Sequence, residues 1–369
     1  MANIMDYLKW RGDIPFTLMP LNEVDNLILA TLSYVNLDEI VPGPGEGEIP
    51  IAEAVKTYEE RYPYGNGMSF TDNAPRLMKA CALTERFGQV RFANFRNRFD
   101  VNTEVQFCVM EILLPDGKSY IAFRGTDDTI IGWKEDFYLS IGIVPAQLEA
   151  AAYVEQVLAS KDPDSRIYIG GHSKGGNLAE YAASSIREQY QDRVLQVFNN
   201  DGPGFDLSFI NRETYQRIVS RTRLFVPSFG IVGELLHHGS SRKVVQSLAK
   251  TIMAHDPFTW QVMGTRFESS PALYRSAQVF NKSLSGWIDG LDSERKKAFI
   301  NDFFAVLEAP GLRNISELAS GGIPVYSMMA VRLSRLDPES RKIIIELIAA
   351  LMENMGEWAG DTIKKMLTY

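Results

Sequence analysis

A strand, a sharp turn and a helix follow one another without interruption between residues 166 and 183. The apolar run Ile167 to Ile169 predicts a short strand, and the alanine-rich stretch 178–183 predicts a helix. The turn between them reads Gly171-His172-Ser173-Lys174-Gly175, with a serine at its apex. Glycines suit the two flanking positions, because a Cβ there would collide with the adjoining strand or helix. The pattern predicts a G-x-S-x-G nucleophile elbow with Ser173 as the nucleophile.

Strands and helices alternate after residue 101. The predicted strands span residues 104–114, 119–123, 167–169, 193–198 and 223–226. A helix is predicted from Pro145 to Ala159, and such alternation implies parallel strands joined by right-handed crossovers. We therefore predict an α/β-hydrolase fold, in which a mostly parallel sheet carries helices on both faces. Ser173 would lie at the carboxyl edge of this sheet, where ligands bind in open α/β folds.

The chain divides into three predicted regions. They are an N-terminal helical and mixed lead-in packed on the core, the α/β-hydrolase core itself and a C-terminal helical region, at residues 1–100, 101–268 and 269–369. Helices are expected at Leu21 to Leu32 and Pro75 to Arg86 in the lead-in, and after Asp292 and Asp337 in the last region. We expect the last region to pack on the α/β body. The sequence leaves open whether it forms a lid over the site.

Composition narrows the range of functions. The formal net charge of -8 argues against a nucleic-acid binder, which needs lysine and arginine concentrated on one face. Two cysteines, Cys81 and Cys108, fit neither a disulfide framework nor metal-ligand spacing, so no metal and no diffusible cofactor is implied. The first residues lack a signal-peptide pattern, and no apolar run approaches the ~20 residues of a membrane span. A cytoplasmic protein without a transmembrane segment is expected.

A serine hydroxyl becomes a strong nucleophile only when a base takes its proton. The chain contains four histidines, His172, His237, His238 and His255. His172 stands next to Ser173 within the elbow and cannot fold back onto it. We predict His255 as the base, because it lies in a loop-like segment after the last sheet strands. His238 stays open as the alternative.

The base in turn needs a carboxylate that orients it. Asp201 follows the strand after the nucleophile helix, on the turn Asn200-Asp201-Gly202-Pro203-Gly204. The carboxyl end of that strand faces the same crevice as Ser173, so Asp201 is the predicted acid. Asp-Gly pairs are also common in ordinary turns, and Glu234, after the next strand, is the reserve acid.

Acyl transfer also needs backbone N–H groups directed at the developing oxyanion. One predicted donor is Lys174, the residue after the nucleophile. The other is Thr126, because the strand before it ends at Arg124-Gly125 and brings the next amide to the same edge of the sheet.

Two stretches resemble a known family. Ala122-Phe123-Arg124-Gly125-Thr126, followed by Trp133 and Asp136, and then residues 171–179 are similar to the F-R-G-[ST], N-W-x-x-D and G-H-S-L-G-G-A-L-A motifs of fungal-type (class 3) triacylglycerol lipases. This resemblance covers about residues 105 to 260 and implies Ser173 as nucleophile and Thr126 as oxyanion residue. Over nearly its whole length the chain also resembles an uncharacterised bacterial family of predicted α/β-hydrolases, through Phe123 to Asp127, Gly132 to Phe137, Asn200 to Phe205 and His255 to Pro257.

The chain departs from the lipase pattern at two places. Lys174 stands where the lipases carry a leucine, which places a cation near the site and suggests a polar or anionic feature in the substrate. The lipases' acid is expected near Ser228 to Ile231, where this chain has no carboxylate. Asp201 would then act from one strand earlier, a placement that pancreatic-type lipases also use.

These observations predict a lipase- or esterase-like serine hydrolase that acts on a small-molecule or lipid carboxylic ester through an acyl-enzyme on Ser173. The alternatives are an inactive hydrolase fold that serves binding or scaffolding, and an acyltransferase or thioesterase with the same triad. The basic and aromatic stretch Arg86 to Phe99 leaves peripheral membrane contact open, although it also reads as a partly buried strand. The sequence says nothing about the oligomeric state or the acyl chain.

Overall fold

An eight-stranded mixed sheet forms the centre of the protein. The computed structural model describes residues 2–63, 73–100, 105–126, 130–139, 142–230, 232–249, 251–274, 278, 291–313, 317 and 322–352. The strands lie side by side in chain order: β1 (Glu48–Pro50), β2 (Arg91–Asp100), β3 (Val105–Leu113), β4 (Ser119–Phe123), β5 (Ile167–His172), β6 (Val194–Asn200), β7 (Thr222–Pro227) and β8 (Arg242–Val245). A separate hairpin joins β9 (Val262–Met263) and β10 (Arg266–Phe267).

Helices lie before, between and after these strands along the chain. In the described residues they are α1 (Ile4–Arg11), α2 (Glu23–Leu32), α3 (Ile51–Arg61), α4 (Ala74–Ala82), α5 (Ile130–Tyr138), α6 (Pro145–Ser160), α7 (Lys174–Ser185), α8 (Glu188–Gln191), α9 (Leu207–Ile210), α10 (Glu213–Val219), α11 (Ser293–Glu308), α12 (Gly322–Leu333) and α13 (Pro338–Met352). One short 3₁₀ helix, Val232–Glu234, precedes β8 along the chain, and two others, Thr251–His255 and Pro257–Thr259, follow it.

The sheet is antiparallel on one side and parallel on the other. Strands β1 to β4 pair antiparallel, whereas β4 to β8 all pair parallel, each crossover between them passing through a helix or a longer loop. The predicted α/β fold with a mostly parallel sheet is therefore confirmed. The five predicted strands correspond to β3 to β7, with Glu104 lying outside the described residues.

Two hydrophobic cores cover the two faces of the sheet. On β3, Cys108 and Met110 face one core, which is completed by side chains of α1 to α4. The alternate residues Phe107 and Val109 face a second core, which is completed by α6 and α7. Because successive side chains of a strand point to opposite faces, a strand buried on both faces reads as a continuous apolar run. This explains why β3 lacks the alternating pattern of an exposed strand.

The helix predicted from Pro75 to Arg86 is shorter in the structure and ends at Ala82. Arg86 lies beyond it, fully buried, and its Nε donates to Asp25 of α2 at 2.8 Å. The same guanidinium donates to three backbone carbonyl oxygens of the loop before α2, at Ile14, Met19 and Pro20. A buried charge is tolerated when it is paired and hydrogen-bonded in this way, so this tertiary requirement ends the helix early.

The C-terminal helices pack together and against two segments of the preceding chain, α5 and the 3₁₀ helix that ends at His255. Phe299 and Phe303 of α11 are buried in a cluster that includes Ile130 of α5 and is bordered by Trp133. The N–H of Ile130 donates to the carbonyl of Arg313 at 2.9 Å, and α13 contacts the 3₁₀ helix that ends at His255. The C-terminal helices therefore lie against the segment that carries the predicted base, His255, and against the helix that follows the Thr126 loop.

Two further observations concern membranes and metals. Within the ranges given above, the structure contains no helix that combines the length and the apolar character needed to cross a membrane. In the same ranges, no three His, Cys, Asp or Glu side chains come together in a way that could hold a metal ion.

Candidate active site

Ser173 occupies the turn between β5 and α7 with φ 58° and ψ -135°. Positive φ is unfavourable for a residue with a Cβ, and such strain persists only where the surrounding structure enforces it. A Cβ on Gly171 would lie 2.3 Å from the backbone of Gly175, and one on Gly175 would lie 2.2 Å from the carbonyl oxygen of Phe123. The predicted reason for both glycines is confirmed, because β4, the elbow and α7 approach too closely for side chains there.

Asp201 and His255 are brought together by the structure, although 54 positions separate them in the sequence. Asp201 follows β6, and its Oδ2 lies 2.6 Å from Nδ1 of His255. The other carboxylate oxygen accepts the N–H of Gly233 at 3.0 Å. A carboxylate that accepts at both oxygens requires the proton on Nδ1 of the imidazole, so Nε2 of neutral His255 keeps its lone pair. This is the tautomer that a general base needs.

The turn that carries Asp201 also lies against the elbow. The N–H of Ser173 donates to the carbonyl of Asn200 at 3.0 Å, and a Cβ on Gly202 would lie 2.3 Å from the carbonyl oxygen of Ser173. Asp201 itself has φ 53° and is fully buried. Asp201 and Ser173 are therefore held at the ends of neighbouring parallel strands, as the predicted topology requires.

The loop after β4 approaches the serine from the other side. A Cβ on Gly125 would lie 2.9 Å from Cβ of Ser173 and 2.5 Å from the carbonyl oxygen of His172. Thr126, the next residue, is buried. The amide of Lys174 lies at the N-terminus of α7, where helix N–H groups carry partial positive charge. Gly125, the residue before the predicted oxyanion donor Thr126, therefore lies next to Ser173, and the other predicted donor, Lys174, follows Ser173 in the chain.

The side chain of Lys174 turns into the protein. It is fully buried, and its ammonium donates to the carbonyl of Gln106 on β3 at 3.0 Å. This hydrogen bond links the elbow to the antiparallel half of the sheet. It gives the cation a structural contact and does not favour the predicted contact with a polar or anionic substrate feature.

A family model described as Mbeg1-like matches residues 81–305, which is more than half of the chain. The chain belongs to the Mbeg1-like family. The matched residues contain β2 to β8 together with Ser173, Asp201 and His255. This family is related to lipase-like proteins, which loosely supports a hydrolase. Comparison with curated proteins gave no match, and comparison with solved structures gave none either.

In this Mbeg1-like chain the alternative acid, Glu234, and the alternative base, His238, lie in environments that differ from that of the Asp201–His255 pair. Glu234 forms an ion pair with Arg242, with Oε1 3.0 Å from Nε, and burial raises its pKa above the ordinary value. Burial lowers the pKa of His238 to about 4. The histidine that Asp201 contacts is His255, so the geometry favours the pair predicted first. Asp256 caps the 3₁₀ helix that follows it, accepting from the N–H of Phe258 at 2.9 Å.

Parts of the family motifs play other roles or lie outside the described residues. Trp133 of α5 packs beside the C-terminal hydrophobic cluster, so this motif tryptophan connects the helix after the β4 loop to the C-terminal helices. Asp127 lies outside the described residues, as does the side chain of Asp136.

Sequence reasoning missed the polar residues that hold the site in place. Asn26 of α2 and Asn200 of β6 exchange hydrogen bonds through their side-chain amides, at 2.8 and 3.2 Å. The amide of Asn200 also donates to the carbonyl of Gly171 at 2.9 Å. The two asparagines are 174 positions apart, so no local pattern pairs them. The lead-in is thereby joined to both strands that carry the candidate acid and nucleophile.

A second buried network fixes the Asp201 turn from the opposite side of the sheet. Asn199 accepts the N–H of Gly202 at 2.7 Å and donates to Glu180 of α7 at 2.9 Å. Tyr215 donates to the other oxygen of Glu180 at 2.8 Å. Burial raises the pKa of the Glu180 carboxyl to about 7.

The raised pKa of Glu180 predicts a pH-dependent stability. Folded protein retains this proton up to about pH 7, whereas unfolded chains release it near the ordinary value of 4.5. The associated stability is therefore fully present below pH 4.5 and is lost as the pH rises through 7. Glu180→Gln removes this dependence. Urea unfolding should show the variant gaining about 2 to 3 kcal/mol relative to wild type between pH 5 and pH 8.

The exposed Glu213 of α10 offers the matched control, since Glu213→Gln makes the same chemical change at the surface. Its unfolding free energy should differ from wild type by the same small amount at both pH values. A Glu180→Gln variant that follows the wild-type pH dependence would show that this carboxyl is ionised in the folded protein.

Proposed function

We propose that this protein is a serine hydrolase that cleaves carboxylic esters, with Ser173 as nucleophile, His255 as base and Asp201 as the orienting acid. The proposal rests on the 2.6 Å contact between His255 Nδ1 and Asp201 Oδ2, together with a serine at φ 58° whose N–H donates to the carbonyl of Asn200, the residue before Asp201. A buried carboxylate that holds an imidazole in the Nδ1–H tautomer is what activates a serine hydroxyl. The relation of the family to lipase-like proteins supports the same reaction class.

In the first half-reaction, Oγ of Ser173 attacks the ester carbonyl carbon while Nε2 of His255 takes the hydroxyl proton. The carbonyl π electrons move to the oxygen, and the backbone N–H groups of Lys174 and Thr126 stabilise that oxyanion. Collapse of the tetrahedral intermediate breaks the ester bond, and the alcohol leaves with the proton from His255. Asp201 stays ionised throughout and stabilises the imidazolium.

In the second half-reaction, water attacks the acyl-enzyme. His255 takes the proton of the water, a second tetrahedral intermediate forms, and its collapse returns the proton to Ser173 and releases the carboxylic acid. An alcohol or thiol in place of water would give acyl transfer by the same steps, so product analysis distinguishes hydrolysis from transfer. The proposal has three further parts. The protein is cytoplasmic, its substrate is a small-molecule or lipid ester, and its similarity to lipases is specifically to the class 3 lipases.

A fluorophosphonate probe tests the proposal without knowledge of the substrate. Wild-type protein is expected to be labelled on Ser173, because the probe reacts with serines that an adjacent base activates. Ser173→Ala should give no labelling, and Ser184→Ala, at a buried α7 serine that bonds the carbonyl of Tyr181, should be labelled like wild type. An unlabelled wild type that is correctly folded would contradict the proposal and favour a binding or scaffolding role.

Screening p-nitrophenyl esters with acyl chains from short to long would then define the acyl specificity. Measured rates should fall to background with Ser173→Ala for every chain length.

A further inference from the structure

Tyr34 links the N-terminal lead-in to the elbow through a buried contact. It follows the C-terminal end of α2 and is 1% exposed. Its hydroxyl lies 2.9 Å from Nδ1 of His172 and 3.4 Å from the carbonyl oxygen of the same residue. On the other side of the ring, Nε2 of His172 lies 2.7 Å from the carbonyl oxygen of His255. The contacts thus run from Tyr34 through His172 to the backbone of His255.

The direction of each hydrogen bond follows from the chemistry of its partners. A carbonyl oxygen only accepts, so Nε2 of His172 carries a proton and donates to His255. Burial holds the pKa of His172 well below its ordinary value, and the nearby ring of His255 lowers it further, so His172 is neutral. Nδ1 of a neutral ring protonated at Nε2 is an acceptor, and the hydroxyl of Tyr34 therefore donates to it. Tyr34 thereby selects the tautomer of His172 that can bind His255.

We propose that Tyr34 and His172 are positioning residues for His255, Tyr34 fixing the His172 tautomer and His172 holding the His255 backbone carbonyl against the elbow. This inference rests on the proposed function, because it assigns His255 as the base. It adds residues that no sequence motif pairs, since Tyr34 and His172 are 138 positions apart.

The position of a histidine ring depends on the contacts that hold the ring and on those that hold the backbone of the same residue. Asp201 holds the ring of His255 through Nδ1, and His172 holds its carbonyl. The preceding carbonyl, of Ala254, accepts from Nε1 of Trp260 at 2.9 Å. The rings of His172 and His255 also lie against each other, with centroids 4.4 Å apart. His255 ends a short 3₁₀ helix, so these contacts supply the rigidity that a longer element would otherwise provide.

Loss of the backbone anchor should weaken the His255–Asp201 hydrogen bond without removing either residue. Tyr34→Phe deletes one hydroxyl and leaves the ring, so labelling by the fluorophosphonate probe should slow roughly 3- to 10-fold. His172→Leu removes the donor to His255 outright and should slow labelling on the order of 100-fold, the effect of a misplaced catalytic group. His172→Gln keeps an amide donor near the Nε2 position and should retain a faster rate than His172→Leu.

The decisive measurement is independent of activity. The Nδ1 proton of His255, in a 2.6 Å bond to a buried carboxylate, should give a far-downfield proton resonance. The chain has four histidines, so ¹⁵N-histidine labelling allows that resonance to be assigned. Tyr34→Phe and His172→Leu should shift it upfield or broaden it by faster exchange, whereas His172→Gln should restore most of it.

Tyr153→Phe is the matched control. Tyr153 is also 1% exposed and loses one hydrogen bond on this change, to the carbonyl of Asn94 at 2.7 Å, on the other face of the sheet. It should lower the urea midpoint of unfolding about as much as Tyr34→Phe does, while the His255 resonance and the labelling rate stay at wild-type values. If Tyr34→Phe acted only through a general loss of stability, Tyr153→Phe would change the labelling rate and the His255 resonance to the same extent.

The outcomes separate the two proposals. If wild type is not labelled but the His255 resonance responds to Tyr34→Phe, the hydrolase assignment fails and the positioning contacts stand. If wild type is labelled and the resonance is unchanged in Tyr34→Phe and in His172→Leu, the positioning role is overturned and the hydrolase assignment stands. Equal labelling rates in His172→Gln and His172→Leu would also overturn the assigned donor role.

Discussion

Asp201→Asn is expected to lower kcat for ester hydrolysis roughly 10⁴-fold while the protein remains folded. The direction follows from the two contacts that the carboxylate makes. The N–H of Gly233 needs an acceptor, so the asparagine oxygen turns toward it and the amide nitrogen faces Nδ1 of His255. An amide nitrogen only donates, and His255 must then carry its proton on Nε2. In that tautomer His255 cannot take the proton of Ser173.

Two neighbouring carboxylates provide controls for this change. Asp256→Asn alters the residue next to His255, whose carboxylate caps a 3₁₀ helix, and Glu234→Gln alters the carboxylate paired with Arg242. Each variant should keep kcat within a few-fold of wild type, measured on the p-nitrophenyl ester that is hydrolysed fastest. If Glu234→Gln lost activity and Asp201→Asn kept it, the acid would be Glu234 and the interpretation of the 2.6 Å contact would be wrong.

The features that the sequence predicted well are those with a short range along the chain. The elbow, the strand before it and the helix after it lie within about twenty residues, and local propensity, periodicity and glycine spacing are enough to predict them. Asp201 could be proposed for a similar reason, since it directly follows a strand whose neighbour was already assigned. Parallel strands bring their carboxyl ends to one edge, so a local observation implied a spatial one.

His255 was predicted by a different argument. It is 54 positions from Asp201, and only its place after the last sheet strands and the small number of histidines favoured it. The polar contacts around it could not be predicted in this way. Tyr34 and Asn26 belong to helix α2 and the turn after it, where a tyrosine or an asparagine has many ordinary roles. Their partners are decided by which face of the sheet the lead-in covers, and that depends on the whole fold.

At Arg86 the local sequence pattern predicts a helix that is longer than the one the fold allows. The helical pattern continues to this residue, yet the helix ends at Ala82 because the guanidinium is bound by Asp25 and by carbonyls of a distant loop. Helix propensity amounts to fractions of a kcal/mol per residue, whereas leaving a buried charge without partners costs several. The tertiary contact therefore decides the end of the helix.

Gly175→Ala is expected to destabilise the protein by about 3 kcal/mol, although alanine is the better helix former. Gly175 lies in the first turn of α7, where alanine alone would contribute up to about 1 kcal/mol in favour of the helix. The added Cβ would lie 2.2 Å from the carbonyl oxygen of Phe123 and 3.0 Å from the carbonyl carbon of Arg124. These are backbone atoms that cannot rotate away, so α7 and the end of β4 must separate.

The same separation should affect the chemistry, because the loop that follows Phe123 carries Gly125 past Ser173 and leads directly to Thr126, the proposed oxyanion donor. Fluorophosphonate labelling of Gly175→Ala is expected to slow on the order of 100-fold, the cost of moving this proposed donor by about 1 Å. Gly142→Ala is the matched control, since a Cβ there meets no heavy atom within 4 Å. Its urea midpoint and labelling rate should equal those of wild type. A Gly175→Ala protein as stable as that control would show that β4 and α7 are not packed at contact distance, and the constraint that strains Ser173 would then need another origin.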